Sequence, residues 1–272
     1  MKKILYFECY SGISGDMTVA ALLDLGADEQ VLRKVLESLN VKGFSIEVKD
    51  VLKSNLRAKD FDVILDKDHE NHDHDMEYLF SPNYEECHES KHGHGHHSHE
   101  HRTMKEITEI LNSAQMEPEA RKLAFDIFQV LAEAEASVHG TSVDQVHFHE
   151  AGAIDSIVDI ISIAVCVNNL GIHQIASSNL YEGKGCIRCQ HGILPIPVPA
   201  VANIVSKYQI PLSRIEEEGE FVTPTGAATI AALVNEKHLP ESYCIERIGL
   251  GAGKREYKRN GILRAMILRE EE

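Results

Sequence analysis

Between Asp66 and Arg102 the chain gives a hydrophobic core almost nothing to use: His, Asp, Glu, Ser and Gly dominate, and apolar residues thin out. Such a stretch cannot bury enough apolar surface to offset the entropy of ordering its backbone. The sequence therefore predicts a disordered, His-rich insert over residues 67–102. That break constrains everything else. Residues 1–66 read as an N-terminal α/β part and residues 103–272 as the main α/β part. With 43% apolar residues in the chain, the two are expected to close one core across the insert.

Residues 3–7 read as a buried strand, followed by the loop "CYSGISGD" and a helix from about Asp16 to Asp24. Asp28 is placed to cap the next helix, with Val31, Leu32, Val35, Leu36 and Leu39 on one apolar face. The period then changes to two. Phe44, Ile46 and Val48, then Phe61, Val63 and Leu65, alternate with polar residues like two strands of a small antiparallel unit. Past the insert, Thr103 and Glu106 fit a capping box. Pro118 suits the first turn of a helix that runs to about Val138 and stops at Gly140. The β-branched residues of "DSIVDIISIAVCVNNLG" favour a strand, but its length and Gly171 favour a buried helix. Residues 174–181, 243–250 and 261–268 read as strands. Pro199 opens a helix through Lys207, and "TPTGAATIAALVNE" is a loop feeding another. The predicted class is α/β or α+β, a mixed sheet with packed helices.

The formal charge of −16 argues against a DNA or RNA partner, because phosphate-backbone binders cluster Lys and Arg. The N-terminus "MKKILYFECYSG" has no long apolar segment and reads as a first strand, not a signal peptide. The longest apolar stretch, "IVDIISIAVCV", is too short to span a bilayer and contains Asp159. A cytoplasmic protein without a membrane partner is expected. Its six cysteines read as free thiols or metal ligands.

Four constellations could carry chemistry. In "YFECYSGISGDM" a strand runs into a loop and then a helix. Gly12, Ser14 and Gly15 would let backbone N–H groups approach an anion at the helix N-terminus, and Asp16 could hold a cation beside a phosphate. The competing reading is a tight turn. "EFVTPTGAA" offers a second cradle of this kind with Thr223, Thr225 and Gly226. In "VHFHEAGAIDSIVDI", His147 and His149 flank Phe148 and point to one side of an extended segment. Glu150 is adjacent, and Asp155 and Asp159 share a face if a helix begins there. These residues suit a first-row divalent metal, or acid and base work. In "GKGCIRCQHGILPIPVPA", His191 is the better candidate, since a lone pair of cysteines is weak evidence for zinc. "GLGAGK" near the end invites a phosphate reading, but a lone glycine cluster is weak. In the insert, His92, His94, His96, His97, His99 and His101 could wrap a first-row divalent metal ion without preformed geometry.

Together and in this order, "SGISGDM..AALLDLG", "AEAEASVHG....VHFHEAGAIDSIVDI", "HGILPIPVPA", "EFVTPTGAA" and "GLGAGKRE…NGILR" resemble the LarC family. The family implies nickel insertion into pyridinium-3,5-bisthiocarboxylic acid mononucleotide, forming the nickel-pincer cofactor of lactate racemase. It implies a lyase-class cyclometallase that uses CTP with Mn²⁺ or Mg²⁺. Where this chain ends at "RAMILREEE", full-length members continue into a further domain, which is expected to bind the CTP. The likeness is thus to the N-terminal portion. The implied partners are the mononucleotide, a C-terminal LarC-like polypeptide and lactate racemase apoprotein, in an oligomeric assembly. His147, His149, Glu150 and Asp155 become the catalytic candidates. Gly12, Ser14, Gly15, Asp16, His191, Thr223, Thr225 and Gly226 become the cofactor-binding candidates, and the six insert histidines the nickel ligands. Cys186 and Cys189 have no expected counterpart in the family. The alternatives are a nickel metallochaperone or store, whose function would be the His-rich tract, and a metal-dependent phosphohydrolase.

Overall fold

The computed structural model describes residues 2–66, 79, 102–148, 153–189 and 192–271, and the predicted insert falls almost wholly outside them. The chain opens with β1 (Lys3–Glu8), α1 (Gly15–Leu25), α2 (Glu29–Glu37), β2 (Phe44–Lys53) and β3 (Leu56–Leu65). After residues 67–101 come β4 (Arg102–Thr103), α3 (Met104–Ser113), α4 (Pro118–His139), β5 (His147–Phe148) and α5 (Ile154–Leu170). Then follow β6 (Gln174–Ser177), β7 (Leu180–Lys184), β8 (Cys186–Cys189), β9 (Gly192–Pro195) and α6 (Pro199–Tyr208). The chain closes with β10 (Leu212–Glu218), α7 (Pro224–Leu233), β11 (Tyr243–Ala252) and β12 (Ile262–Glu270).

The class is α/β, with a six-stranded mixed sheet in the order β2-β3-β11-β12-β1-β6. β1 lies antiparallel to β12 and parallel to β6. Its run "ILYF" is apolar without alternation because both faces are covered. Leu5 and Phe7 join the core beneath the helices, while Ile4 and Tyr6 pack with Met266 and Leu268 on the other face. β2 and β3 pair in full register. Their turn, Ser54–Asn55, has φ of 50° and 62°, the left-handed geometry that matches strand twist in a two-residue hairpin. The hairpin is not a separate unit: β3 joins the sheet beside β11.

Local signals hold the helices as expected. Asp28 Oδ1 accepts the Gln30 and Val31 N–H groups at 2.8 and 3.3 Å. Thr103 and Glu106 close the capping box. Gly26, Gly140 and Gly171 end their helices in the left-handed conformation. α5 is a helix because its apolar residues surround it: it is buried among α1, α2 and α4. Among the described residues, no helix is long and apolar enough to cross a membrane.

Three details differ from the sequence reading. Val31 sits at the edge of the α2 stripe and is exposed, leaving Leu32, Val35, Leu36 and Leu39 to face the core. Residues 174–181 do not form one strand; the chain breaks after Ser177, and β7 pairs with β10 in a separate two-stranded sheet. The β8–β9 hairpin and β10 are short and carry no clear period, so alternation did not reveal them.

Candidate functional site

The two glycine-bearing turns that the sequence presents two hundred residues apart meet in space. Ile13 N–H donates to Phe221 O at 2.8 Å, and Thr223 N–H donates to Ile13 O at 3.1 Å. Gly12 has φ +84°, and a Cβ on it would lie 2.0 Å from Phe221 O. A Cβ on Gly226 would lie 2.3 Å from Ile13 O. Both glycines therefore have a packing reason to be glycine: the loops before α1 and α7 touch backbone to backbone. Thr223 Oγ1 accepts the Gly226 N–H at 3.2 Å, so α7 is capped by its own chain. Thr225 is buried, and its carbonyl accepts the Thr229 hydroxyl.

The N-terminus of α1 is different, because its cap is not closed. Ser14 donates its hydroxyl to Asp16 Oδ1 and makes no side-chain cap to the helix backbone. Gly15 lies directly against α5: a Cβ there would fall 2.3 Å from Asp159 Oδ2. Asp155 stands one turn earlier on the same helix. Lys254, in the β11–β12 connection, pairs with Asp62 of β3. Burial works against its ammonium, but Asp16, Asp62 and Asp159 outweigh that and hold it above the usual lysine range. Lys53 donates to the carbonyls of Gly253 and Arg255 and fixes the loop that carries Lys254.

Asp159 is the most perturbed group in this network. Burial first, then the charges of Asp16 and Asp155, push it well above the ordinary carboxylate range. Its Oδ1 is buried without a hydrogen-bond partner among the described residues. A carboxyl shifted upward in this way, beside an ammonium, binds a proton more tightly than an ordinary carboxylate and is suited to proton transfer. Among the described residues, no group of three or more His, Cys, Asp or Glu side chains is arranged to hold a metal ion.

The remaining candidates divide. Phe148 is fully buried and meets Phe128 edge-on at 6.2 Å, so strand alternation turns its neighbour His147 outward to solvent. His147 is paired with Thr103 across β4 and β5. His149, Glu150, His191, His92, His94, His96, His97, His99 and His101 lie outside the described residues. Cys186 and Cys189 sit three apart on β8, which puts them on opposite faces of the strand. Sequence reasoning missed Lys254 and Asp62. Lys254 was hidden behind the "GLGAG" glycines. Asp62 reads as the solvated side of an alternating strand, and only the fold shows what it faces.

A family model described as nickel insertion protein matches residues 5–272 of the chain. A pyridinium-3,5-bisthiocarboxylic acid mononucleotide nickel insertion protein of Alkaliphilus metalliredigens (strain QYMF) is 48% identical over 270 residues, covering 99% of this chain and 61% of that protein. Proteins of the same description from Acetivibrio thermocellus and Clostridium kluyveri are 38% and 37% identical, covering 97% and 99% of this chain and 60% and 63% of their own lengths. The chain thus spans about three-fifths of the length of the curated relatives it matches. No solved structure matches it.

Proposed function

Because the chain belongs to the nickel insertion protein family, we propose that it takes part in inserting nickel into pyridinium-3,5-bisthiocarboxylic acid mononucleotide. The observation that carries this reading is the family match over residues 5–272. The meeting of both loop-to-helix turns at Ile13, with the α1 turn lying against the Asp–Lys network, supports it. Nickel is the cargo. The substrate brings thio-acid sulfurs for the metal, a phosphate, and a ring carbon that must lose a proton as it is metallated. In this chain the ionised form of Asp159 is proposed to take that proton, because burial first, then Asp16 and Asp155, make it a stronger base than an ordinary carboxylate. The α1 N-terminus at Ser14–Asp16, with no side-chain cap, is proposed to offer backbone N–H groups to the phosphate, with the Lys254 ammonium nearby. Such attraction acts only locally, within a Debye length of about 8–10 Å. His147, with His149 and Glu150, is proposed to receive nickel gathered by the insert histidines. His191, Thr223, Thr225 and Gly226 are proposed to complete the substrate side.

The finer parts of the reading are that the step is a lyase-class cyclometallation driven by CTP with Mn²⁺ or Mg²⁺, and that a polypeptide carrying the rest of the relatives' length binds the CTP. The product would pass to lactate racemase apoprotein, and the reaction would be cytoplasmic and run by an oligomer. The test mixes the purified chain, with and without that polypeptide, with Ni²⁺, CTP and the dithio-acid mononucleotide, and seeks the nickel product by mass spectrometry. Product is expected with the partner. Absence of product in both arms overturns the reading. Tight nickel binding without product points to a store.

A further inference from the structure

Glu182 belongs to no constellation described so far. It lies in β7 at 1% exposure. Its Oε1 accepts three backbone N–H groups: Gly183 and Phe221 at 2.8 Å and Val222 at 3.4 Å. Its Oε2 is buried and has no hydrogen-bond partner among the described residues. The backbones here are pressed together, since a Cβ on Gly183 would sit 2.1 Å from Gly219 O. The segment that Glu182 grips is the one that holds the candidate site. Phe221 O takes the Ile13 N–H, Val222 bridges Ile13, and Thr223 opens α7. Ile13 is followed at once by Ser14, Gly15 and Asp16. One buried side chain therefore ties β7 to the point where both turns meet.

A structural tie alone does not need a carboxyl. An amide would supply the same acceptor with a smaller desolvation penalty, and an ionised group buried with one oxygen unmatched is expensive. The neighbouring contacts brace the segment that Glu182 grips. Glu220 pairs with Arg255, Tyr257 donates its hydroxyl to Glu220 O at 3.0 Å, and the Tyr257 ring packs on Phe221 at 4.4 Å. Burial, the largest influence, pushes Glu182 up to about 7. The three N–H donors oppose that rise, and the Glu220 charge adds to it.

We infer that Glu182 is a positioning residue: through Phe221–Val222 and Ile13 it sets the distance between the turn that carries Asp16 and the turn that opens α7. Its carboxyl touches no candidate substrate group and acts only through this main chain. Ionisation strengthens its grip, because charge-assisted hydrogen bonds are stronger than neutral ones. The consequence for activity rests on the proposed nickel insertion; the mechanical role does not.

The test compares wild type, Glu182→Gln and Glu182→Ala in two assays. In amide hydrogen exchange by NMR, Glu182→Ala should speed exchange at Phe221 and Val222 by about tenfold or more, while α5 amides change only with global stability. Glu182→Gln should keep most of that protection. In the insertion assay, Glu182→Ala should raise KM for the mononucleotide by about tenfold or more, the scale expected when site parts are misplaced. Glu182→Gln should restore KM and flatten any pH dependence near neutrality. Unchanged protection at Phe221 and Val222 in Glu182→Ala overturns the proposal, and so does unchanged KM. Should Glu182→Ala fail to fold, the Phe221 and Val222 amide shifts decide. They must titrate in wild type and not in Glu182→Gln. If wild type yields no product, the insertion reading fails and the exchange assay alone judges Glu182.

Discussion

Gly251→Ala separates two accounts of "GLGAGK". A phosphate loop needs its glycines for backbone approach to an anion. In the structure Gly251 lies in β11 directly under α1, where a Cβ would sit 2.0 Å from Met17 O and 2.6 Å from Ala21 N. An ordinary C···O contact is about 3.3–3.6 Å, so α1 must lift by more than roughly 1 Å. Both contacts are backbone, and no rotamer change relieves them. A gap of about 0.5–1 Å forfeits a quarter to a half of each dispersion contact, and nearly every α1 residue is buried. The expected loss is at the top of the overpacking range, about 3 kcal/mol or more. For a chain of this size that is roughly 6–12 °C in Tm. Gly171→Ala is the control: φ is +65° but a Cβ there meets nothing within 4 Å, so about 1 kcal/mol of left-handed strain is expected. Urea unfolding with and without added phosphate or CMP reads both. Wild-type stability in Gly251→Ala, with loss of anion binding alone, would refute the packing account.

Other outcomes follow from the titrating groups and the insert. Burial pushes Glu135 up to about 7 from the usual 4.5, with His139 Nε2 3.4 Å away. A carboxyl raised on folding contributes stability that is complete below about pH 4.5 and is lost as pH rises through about 7. Glu135→Gln should therefore match wild type in urea near pH 4.5 and exceed it by roughly 3 kcal/mol above pH 8, at about 1.4 kcal/mol per pKa unit; a constant offset would contradict this. Asp159→Asn should raise Tm above neutral pH in the ligand-free chain and lower turnover, whereas a lower Tm would mean its charge supports the fold. Deleting residues 69–101 should spare insertion at saturating nickel and weaken it when nickel is scarce. Lost turnover at saturation would make the tract catalytic.

What the sequence disclosed was whatever is written locally. Asp28, Thr103 with Glu106, and Gly171 each act within four residues, and all three end or begin helices where their chemistry says they should. α5 was ambiguous because a helix buried on all sides loses its period, and length decided it. The meeting of Ile13 with Phe221 and Thr223 has no local signature. Neither does the approach of Lys254 to Asp62, Asp16 and Asp159: Lys254 and Asp62 look like solvated polarity, and the candidates Asp16 and Asp159 stand in separate motifs, until β3, β11 and α5 are assembled. Glu182 was invisible for the same reason: two of its three partners, Phe221 and Val222, lie 39 and 40 residues away in the chain.

The short β4–β5 pair sets a tether. Thr103 lies opposite His147 and Arg102 opposite Phe148, and His101 immediately precedes Arg102 in the chain. Even fully extended, the ten residues from His92 to His101 span at most about 36 Å. On the proposed nickel-gathering role, an ion on that stretch would stay within about that chain length of Arg102, beside the strand that carries His147. Two sites linked along one chain meet at an effective concentration set by the length between them. Transfer from tract to strand would then be an intramolecular event, set by linker length rather than by the concentration of free nickel.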